Sequence, residues 1–202
     1  MRVAVTGTPG TGKTTAVEAA AIDLEVVHLN DLVREGDLAT GEDPDRGSLV
    51  ADLDAIADRL AGREDVLVES HLAHHLEADR VVVLRCHPES LRDRLLDRGE
   101  SRATSEENAE SAKPPRALTR KARENAESAK PPRALTRKAR ENAEAEALDV
   151  VLSEAVAEHG REAVYEIDTT DRPPAAVAAD VEAVVAGDRE PTAGTVDFTD
   201  YL

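Results

Sequence analysis

The residues best suited to chemistry lie near the N-terminus, at positions 7–14. They read Gly-Thr-Pro-Gly-Thr-Gly-Lys-Thr and match the pattern G-x-x-x-x-G-K-[ST] at every fixed position. Glycines such as Gly10 and Gly12 let backbone N–H groups approach phosphate oxygens, and the helix that follows adds positive potential at its N-terminus. We expect Lys13 to reach the β- and γ-phosphates of a nucleotide. The hydroxyl of Thr14 is then expected to ligate Mg²⁺.

A second group of candidate residues follows the apolar run 66–68 and reads Glu69-Ser70-His71. A carboxylate at the end of a buried strand can hold Mg²⁺ through water, so we assign this role to Glu69. His71 can orient a water molecule or a phosphate. His74 and His75 suggest a zinc cluster with His71, but no cysteine or further carboxylate stands at ligand spacing in the sequence, so Mg²⁺ explains the site better.

Short apolar runs that alternate with helical patterns must position these residues. The predicted strands cover residues 2–6, 25–29, 65–69, 80–85 and 163–167. The predicted helices cover residues 14–21, 49–60, 88–98, 147–158 and 174–186. Such alternation is typical of a parallel sheet covered by helices on both faces, with ligands beyond the carboxyl ends of the strands. We therefore predict an α/β fold of the P-loop NTPase class with a five-stranded parallel sheet.

Composition sets limits on the whole chain. Its 202 residues suffice for one domain, and a single Phe with two Tyr means that the core must be aliphatic. A net charge of −17 argues against a general binder of nucleic acids or anionic membranes. No apolar run approaches the ~18–20 residues of a membrane span, and the single cysteine, Cys86, suits a reducing, cytoplasmic location.

The basic residues are concentrated in a tandem repeat. The sequence ENAESAKPPRALTRKAR at 107–123 recurs unchanged at 124–140, and the two copies carry a net charge of +6 against −23 for the remaining residues. The acid-rich, lysine-poor remainder indicates adaptation to molar salt, with an ordinary acidic protein as the alternative. Paired prolines and scarce apolar residues predict an exposed, mobile excursion. A neutral duplication is the simpler interpretation, and a basic arm that contacts nucleic-acid phosphates is the other.

Together these motifs resemble one known family, the archaeal and eukaryotic nuclear adenylate kinases, whose members also act in maturation of the small ribosomal subunit. The resemblance covers nearly the whole chain apart from the repeat. The matching segments are Gly7–Thr15, Asp31-Leu32-Val33-Arg34-Glu35, Glu69-Ser70-His71, Leu84-Arg85, Arg94-Leu95, Arg98-Gly99 and Glu141-Asn142-Ala143-Glu144-Ala145-Glu146.

The resemblance implies an adenylate-kinase-like fold that uses ATP and Mg²⁺. An arm that binds the nucleoside monophosphate would span about 28–53, a lid about 97–107, and the inserted repeat about 107–140. Arg34 would face the monophosphate, while Arg98 would contact ATP from the lid. The family often has tyrosine after the lid glycine, whereas this chain has Glu100.

The expected reaction is transfer of the γ-phosphoryl group of ATP to a nucleoside monophosphate, with AMP as the favoured acceptor. The acceptor phosphate is already a competent nucleophile, so catalysis reduces to positioning and charge neutralisation by Lys13, Arg98 and Arg94. The rival interpretation is a ribosome-assembly ATPase in which His71 places water. The resemblance supports both interpretations and implies ribosomal protein eleven of the small subunit as a partner. It also makes pre-ribosomal RNA the nucleic acid that a basic repeat would transiently contact. A GTPase switch is disfavoured because the sequence lacks Asn-Lys-x-Asp.

Overall fold

A computed structural model describes residues 1–36, 38–43, 48–111 and 133–201. Its strands are β1 (Arg2–Thr6), β2 (Glu25–His28), β3 (Ala39–Asp43), β4 (Ser48–Ala51), β5 (Val66–Glu69), β6 (Arg80–Arg85) and β7 (Val164–Asp168). Its α-helices are α1 (Lys13–Ala19), α2 (Leu29–Glu35), α3 (Leu53–Leu60), α4 (Pro88–Ser111), α5 (Arg133–Ala147), α6 (Val150–His159) and α7 (Pro174–Ala186). Short 3₁₀ turns cover Ala73–His75, Arg161–Ala163 and Thr199–Tyr201.

The predicted five-stranded parallel sheet is confirmed, with the strand order β2-β5-β1-β6-β7. In the central strand, Val5 pairs with Glu69 of β5 and Thr6 pairs with Val83 of β6. The end of β1 therefore lies directly beside Glu69. Since the phosphate-binding loop follows β1, the topology places Glu69 next to that loop. The remaining two strands, β3 and β4, form a separate antiparallel hairpin.

The core lies on both faces of the sheet and is aliphatic, as the scarcity of aromatics requires. Val3 and Val5 of β1 point to one face and pack with residues of α1 and α7, such as Val17 and Val181. Ala4 points to the opposite face, whose cluster includes residues of α3 and α6. This alternation follows from the two-residue period of a strand. Every residue from Val81 to Leu84 is buried, as expected for a strand covered on both sides.

The helix predicted at residues 49–60 is wrong in its first part. Residues 48–51 form strand β4, paired with β3, and helix α3 begins only at Leu53. The Asp52 side chain accepts a hydrogen bond from the Ala55 N–H at 3.0 Å and so caps the helix. The apolar spacing had included Leu49 and Val50, which are about half exposed on the hairpin.

Two further helices have different bounds from those predicted. The segment at 147–158 is interrupted: α5 ends at Ala147, Asp149 has a φ of 53°, and α6 begins at Val150. The helix predicted at 88–98 continues as α4 through Ser111, so the expected lid at 97–107 forms part of a longer helix.

The predicted mobile excursion of the repeat falls on residues 112–132, outside the described residues. The last eight residues of the second copy, 133–140, begin α5, which packs against α4. No helix in the described ranges has both the length and the apolar character needed to cross a membrane.

Candidate active site

The phosphate-binding loop has the backbone that its glycines permit. Gly7 has a φ of 138°, and a Cβ added there would lie 2.4 Å from the carbonyl oxygen of Leu84. Gly12 has a φ of 93° at the N-terminal cap of α1, a conformation that side-chain-bearing residues rarely adopt. The loop therefore turns closely against β6 and ends at a helix N-terminus, the arrangement that binds phosphate.

Lys13 is the cation of this loop. Its side chain is buried, and Nζ donates hydrogen bonds to the carbonyl oxygens of Gly7 at 2.8 Å and Thr8 at 3.1 Å. Burial lowers the pKa of Lys13 to about 8, while the nearby carboxylates of Glu69 and Glu146 oppose this shift. The ammonium group is thus held inside the loop by carbonyl groups, and no carboxylate of the described residues contacts it directly.

A cavity of about 140 Å³ opens beside the loop, and most predicted site residues line it. From the loop and α1 it is lined by Gly10, Gly12, Lys13, Thr14 and Thr15. Glu69, His71 and Arg98 line the same cavity. Asn30, in the first turn of α2, also lines it and was missed by the sequence reasoning. It follows a predicted strand, and that position is the one signal that could have identified it.

Glu69 and His71 differ in their surroundings. Glu69 is buried, and its Oε2 accepts a hydrogen bond from His28 Nδ1 at 3.0 Å. His71 is exposed at the surface, but its side chain lines the cavity beside the loop, where the surrounding protein partly desolvates the ring. This desolvation, with a smaller contribution from the charge of Lys13, lowers the pKa of His71 to about 4. The imidazole is therefore neutral at pH 7 and can accept a hydrogen bond.

A second cavity of about 430 Å³ also adjoins the loop. Its walls include Arg94, Asp97, Arg98, Thr169, Arg172 and Pro174. Arg94 donates to the hydroxyl of Thr169 at 3.1 Å and to its carbonyl oxygen at 2.8 Å. Arg98, like Gly10 and Gly12, lines both cavities. The sequence reasoning did not predict Thr169 or Arg172, although they follow β7 at the carboxyl edge of the sheet, where ligands bind.

Arg34 lies apart from these residues. It is in the last turn of α2, its side chain is 68% exposed, and it forms an ion pair with Asp31 at 3.6 Å. It lines neither of the two cavities. A role for Arg34 in binding the monophosphate stays a prediction.

Behind the loop lies a buried charge cluster that the sequence reasoning did not predict, formed by Arg85, Glu146, Asp149 and Glu166. Arg85 is 1% exposed and donates from Nε to Glu146 at 2.7 Å and from Nη1 to Glu166 at 2.6 Å. Its Nη2 pairs with Asp149. These acids raise the pKa of Arg85, although burial opposes the shift. The partners are 61 to 81 positions away, so no local pattern predicted them.

The histidines after β5 also have unpredicted partners. His74 Nε2 lies 3.1 Å from Glu154 Oε2, and His75 Nδ1 lies 2.6 Å from Glu158 Oε1. The sequence shows no carboxylate at ligand spacing from these histidines, but the fold brings two carboxylates against them. Both acids come from α6, 80 or more positions away in the chain, which is why sequence spacing missed them. The contacts fasten the turn after β5 to that helix.

Comparisons with known proteins show the family. The family model described as an AAA domain matches residues 3–114. The "Putative adenylate kinase" of Natronomonas pharaonis is 57% identical over 202 residues, covering 100% of both chains. Its counterpart in Halobacterium salinarum strain R1 is 55% identical over 203 residues, again with 100% of both covered. That of Methanothermobacter thermautotrophicus is 37% identical, covering 99% of this chain and 98% of the relative. The chain belongs to the family of these archaeal putative adenylate kinases.

The AAA domain match covers only part of the candidate site. The AAA domain match includes the loop, Glu69 and Arg98 but ends before α5. Glu146, Thr169 and Arg172 therefore lie outside that match, although the relatives align with the whole chain.

Proposed function

We propose that the chain is a nucleoside monophosphate kinase that transfers the γ-phosphoryl group of ATP to AMP. The observation that carries this proposal is the convergence of Lys13, Thr14, Glu69 and Arg98 on one cavity at the phosphate-binding loop. The larger second cavity, which shares the loop, offers room for the nucleoside of ATP. The names of the relatives, "Putative adenylate kinase", support the same activity.

The loop residues divide the work of binding. The backbone at Gly10 and Gly12 and Thr15 in the first turn of α1 bind phosphate oxygens, and Lys13 contacts the phosphates between which the bond breaks. Thr14 and the buried Glu69 offer the oxygen ligands that Mg²⁺ prefers, Glu69 through water. When bound, Mg²⁺ supplies neutralisation of the phosphate charge.

The arginines stabilise the charge that moves. Arg98 lies at the junction of both cavities and screens the transferring group, while Arg94, fixed on Thr169, supports ATP from the same helix. Arg34 binds the phosphate of AMP. The acceptor needs no general base, because its phosphate is already ionised near pH 7. Closure of the lid excludes water, which would otherwise take the phosphoryl group.

Hydrolysis of ATP is the second candidate activity, and one observation favours it. The neutral imidazole of His71 lines the phosphate cavity and can orient a water molecule toward the γ-phosphate. In this alternative the chain acts as a ribosome-assembly ATPase, and hydrolysis releases a ribosomal partner.

Product analysis with Mg·ATP, with and without AMP, distinguishes these activities. We expect two ADP formed for each AMP consumed. Release of phosphate that does not depend on AMP would instead identify an ATPase. Lys13→Ala sets the background for both assays, since both reactions need the same phosphate cradle. If this variant retained more than about a tenth of either activity, with unchanged ATP affinity, the role of the loop would be wrong.

A role in maturation of the small ribosomal subunit rests on the family resemblance and on charge. The residues outside the repeat carry a net charge of −23, which suits a basic partner such as ribosomal protein eleven of the small subunit. We expect the purified pair to associate and the association to weaken with salt. Absence of binding at both low and high salt would argue against this partner.

A further inference from the structure

We propose that Glu146 is a positioning residue for the phosphate-binding loop, which it holds through the hydroxyl of Thr8. The inference rests on the proposed function, since it concerns the loop that would hold ATP. Glu146 is only 3% exposed, although a carboxylate is costly to bury without partners. Its partners therefore show what it holds in place.

Both oxygens of this carboxylate are used, one on each side. Oε1 accepts hydrogen bonds from Arg85 Nε at 2.7 Å and from the Cys86 N–H at 3.1 Å, which fixes Glu146 to the end of β6. Oε2 accepts a hydrogen bond from the Thr8 hydroxyl, and Thr8 is itself 2% exposed. Glu146 thus joins the loop to the sheet from a helix 138 positions away.

The residue that Glu146 holds is the one that organises the loop. The carbonyl oxygen of Thr8 accepts hydrogen bonds from Lys13 Nζ at 3.1 Å and from the Thr11 hydroxyl at 3.0 Å. Fixing the Thr8 side chain therefore fixes the carbonyl group that anchors the lysine. A displacement of about 1 Å in such a site can lower a rate by about a hundredfold, so this support matters for phosphoryl transfer.

The same cluster offers a matched control. Asp149 pairs with the same guanidinium as Glu146, from the turn between α5 and α6. Its φ of 53° suits asparagine, and Asp149→Asn keeps an oxygen directed at Arg85. This variant lowers the negative charge around Arg85 by one, as Glu146→Gln does, but leaves the carboxylate that Thr8 contacts unchanged.

The test measures kcat, KM for ATP, KM for AMP and the Kd for ATP in the full-length chain. Thr8→Val removes the hydroxyl and preserves the shape of the side chain. We expect a fall of about tenfold in kcat/KM for ATP, the lower end for a hydrogen bond to a charged group, while KM for AMP stays unchanged. Thr8→Ser keeps the hydroxyl and should therefore keep activity close to that of the wild type. Combining Thr8→Val with Glu146→Gln should add little further loss, whereas combining it with Asp149→Asn should be additive.

Two results would overturn this role. If Thr8→Val matches the wild type in ATP affinity and kcat while the wild type phosphorylates AMP, the positioning role is wrong and the proposed function stands. If Thr8→Val does not fold, Glu146→Gln and Asp149→Asn decide, since only the former should weaken ATP binding; equal effects would contradict the proposal. The Kd for ATP keeps the test valid even if the wild type does not phosphorylate AMP.

Discussion

Arg85 and Arg98 lie within the same region of the molecule but in opposite environments. Arg85 is buried at the end of β6, where Glu146, Asp149 and Glu166 contact its guanidinium. Arg98 is exposed on α4, lines both cavities, and has no ion pair within the residues that the structure describes. The protein pairs the guanidinium of Arg85 with three carboxylates, whereas the role proposed for Arg98 requires donors that are free to contact phosphate.

Burial of Arg85 carries a desolvation cost that the exposed Arg98 does not have. A buried guanidinium loses its hydration, so each of its charged partners compensates for part of a large desolvation penalty. Arg34 resembles Arg98 in this respect: it is exposed, and a single ion pair with Asp31 at 3.6 Å contributes little. We therefore expect substitution of Arg85 to lower stability, substitution of Arg98 to lower catalysis, and substitution of Arg34 to weaken acceptor binding.

The largest effect is expected from Arg85→Ala. It leaves Glu146 and Glu166 buried without their cation, and breaking a buried ion pair in this way costs about 3–5 kcal/mol of unfolding free energy. We expect a much lower melting temperature by calorimetry. Arg34→Ala is the matched surface control and should shift the free energy of unfolding by less than about 0.5 kcal/mol. Similar losses in both variants would contradict the comparison.

Arg98→Ala should come next, with its effect on catalysis. Loss of a screening arginine lowers phosphoryl transfer by about a thousandfold or more when that residue contacts the transition state. Both AMP phosphorylation and any hydrolysis should fall together, with an unchanged melting temperature because the side chain is exposed. If Arg98→Ala lowers the melting temperature and leaves activity unchanged, Arg98 stabilises the fold, as Arg85 does, and does not act on phosphate.

Arg34→Ala should have a smaller and narrower effect. If Arg34 binds the phosphate of AMP, KM for AMP should rise by about tenfold, the loss expected from one hydrogen bond to a charged group. Hydrolysis without AMP should stay unchanged, because Arg34 lines neither of the two cavities beside the loop. Initial rates at varied AMP measure this split. Equal losses of AMP phosphorylation and of AMP-independent hydrolysis would contradict binding of AMP by Arg34.

The sequence motifs singled out Arg34 and Arg98, whose roles at the phosphates stay predictions, but they did not predict the charge cluster around Arg85. Strands and the loop were predictable because their signals are local: apolar runs, and glycines at fixed spacing before Lys13. The cluster around Arg85 depends on acids 61 to 81 positions away, which only the folded chain brings together. A signal was nonetheless present, since Arg85 ends a strand predicted to be buried on both faces, and a buried arginine requires acidic partners.

Helix bounds failed for a related reason. Apolar spacing grouped Leu49 and Val50 with the helix that follows, although pairing between β3 and β4 places them on a hairpin. Long-range pairing overrides local periodicity, so the start of α3 depended on the cap at Asp52, a weaker signal than the apolar pattern.

The repeat provides a third class of arginines, and the smallest effect is expected there. In α5, Arg137 pairs with Glu141 at 3.6 Å and Arg140 with Glu144 at 3.5 Å, and both arginines are exposed. Such pairs on a helix surface contribute about 0.3–0.5 kcal/mol and are weakened by salt. These two surface pairs therefore resemble neither the buried cluster around Arg85 nor the cavity-lining Arg98.

Deletion of residues 107–123 tests this class, because the copies are identical and the sequences that form the end of α4 and the start of α5 are retained. We expect kcat to stay unchanged and the melting temperature to shift by a few degrees at most, since shortening the stretch between α4 and α5 from 21 to 4 residues changes its closure free energy by only about 1–2 kcal/mol. Deletion of 107–140 is the contrasting variant: it also removes the start of α5 and the buried Ala139, so stability should fall. A large loss of kcat from the single-copy deletion would place the repeat in the working lid. Loss of salt-sensitive RNA binding with kcat intact would instead make it a basic arm.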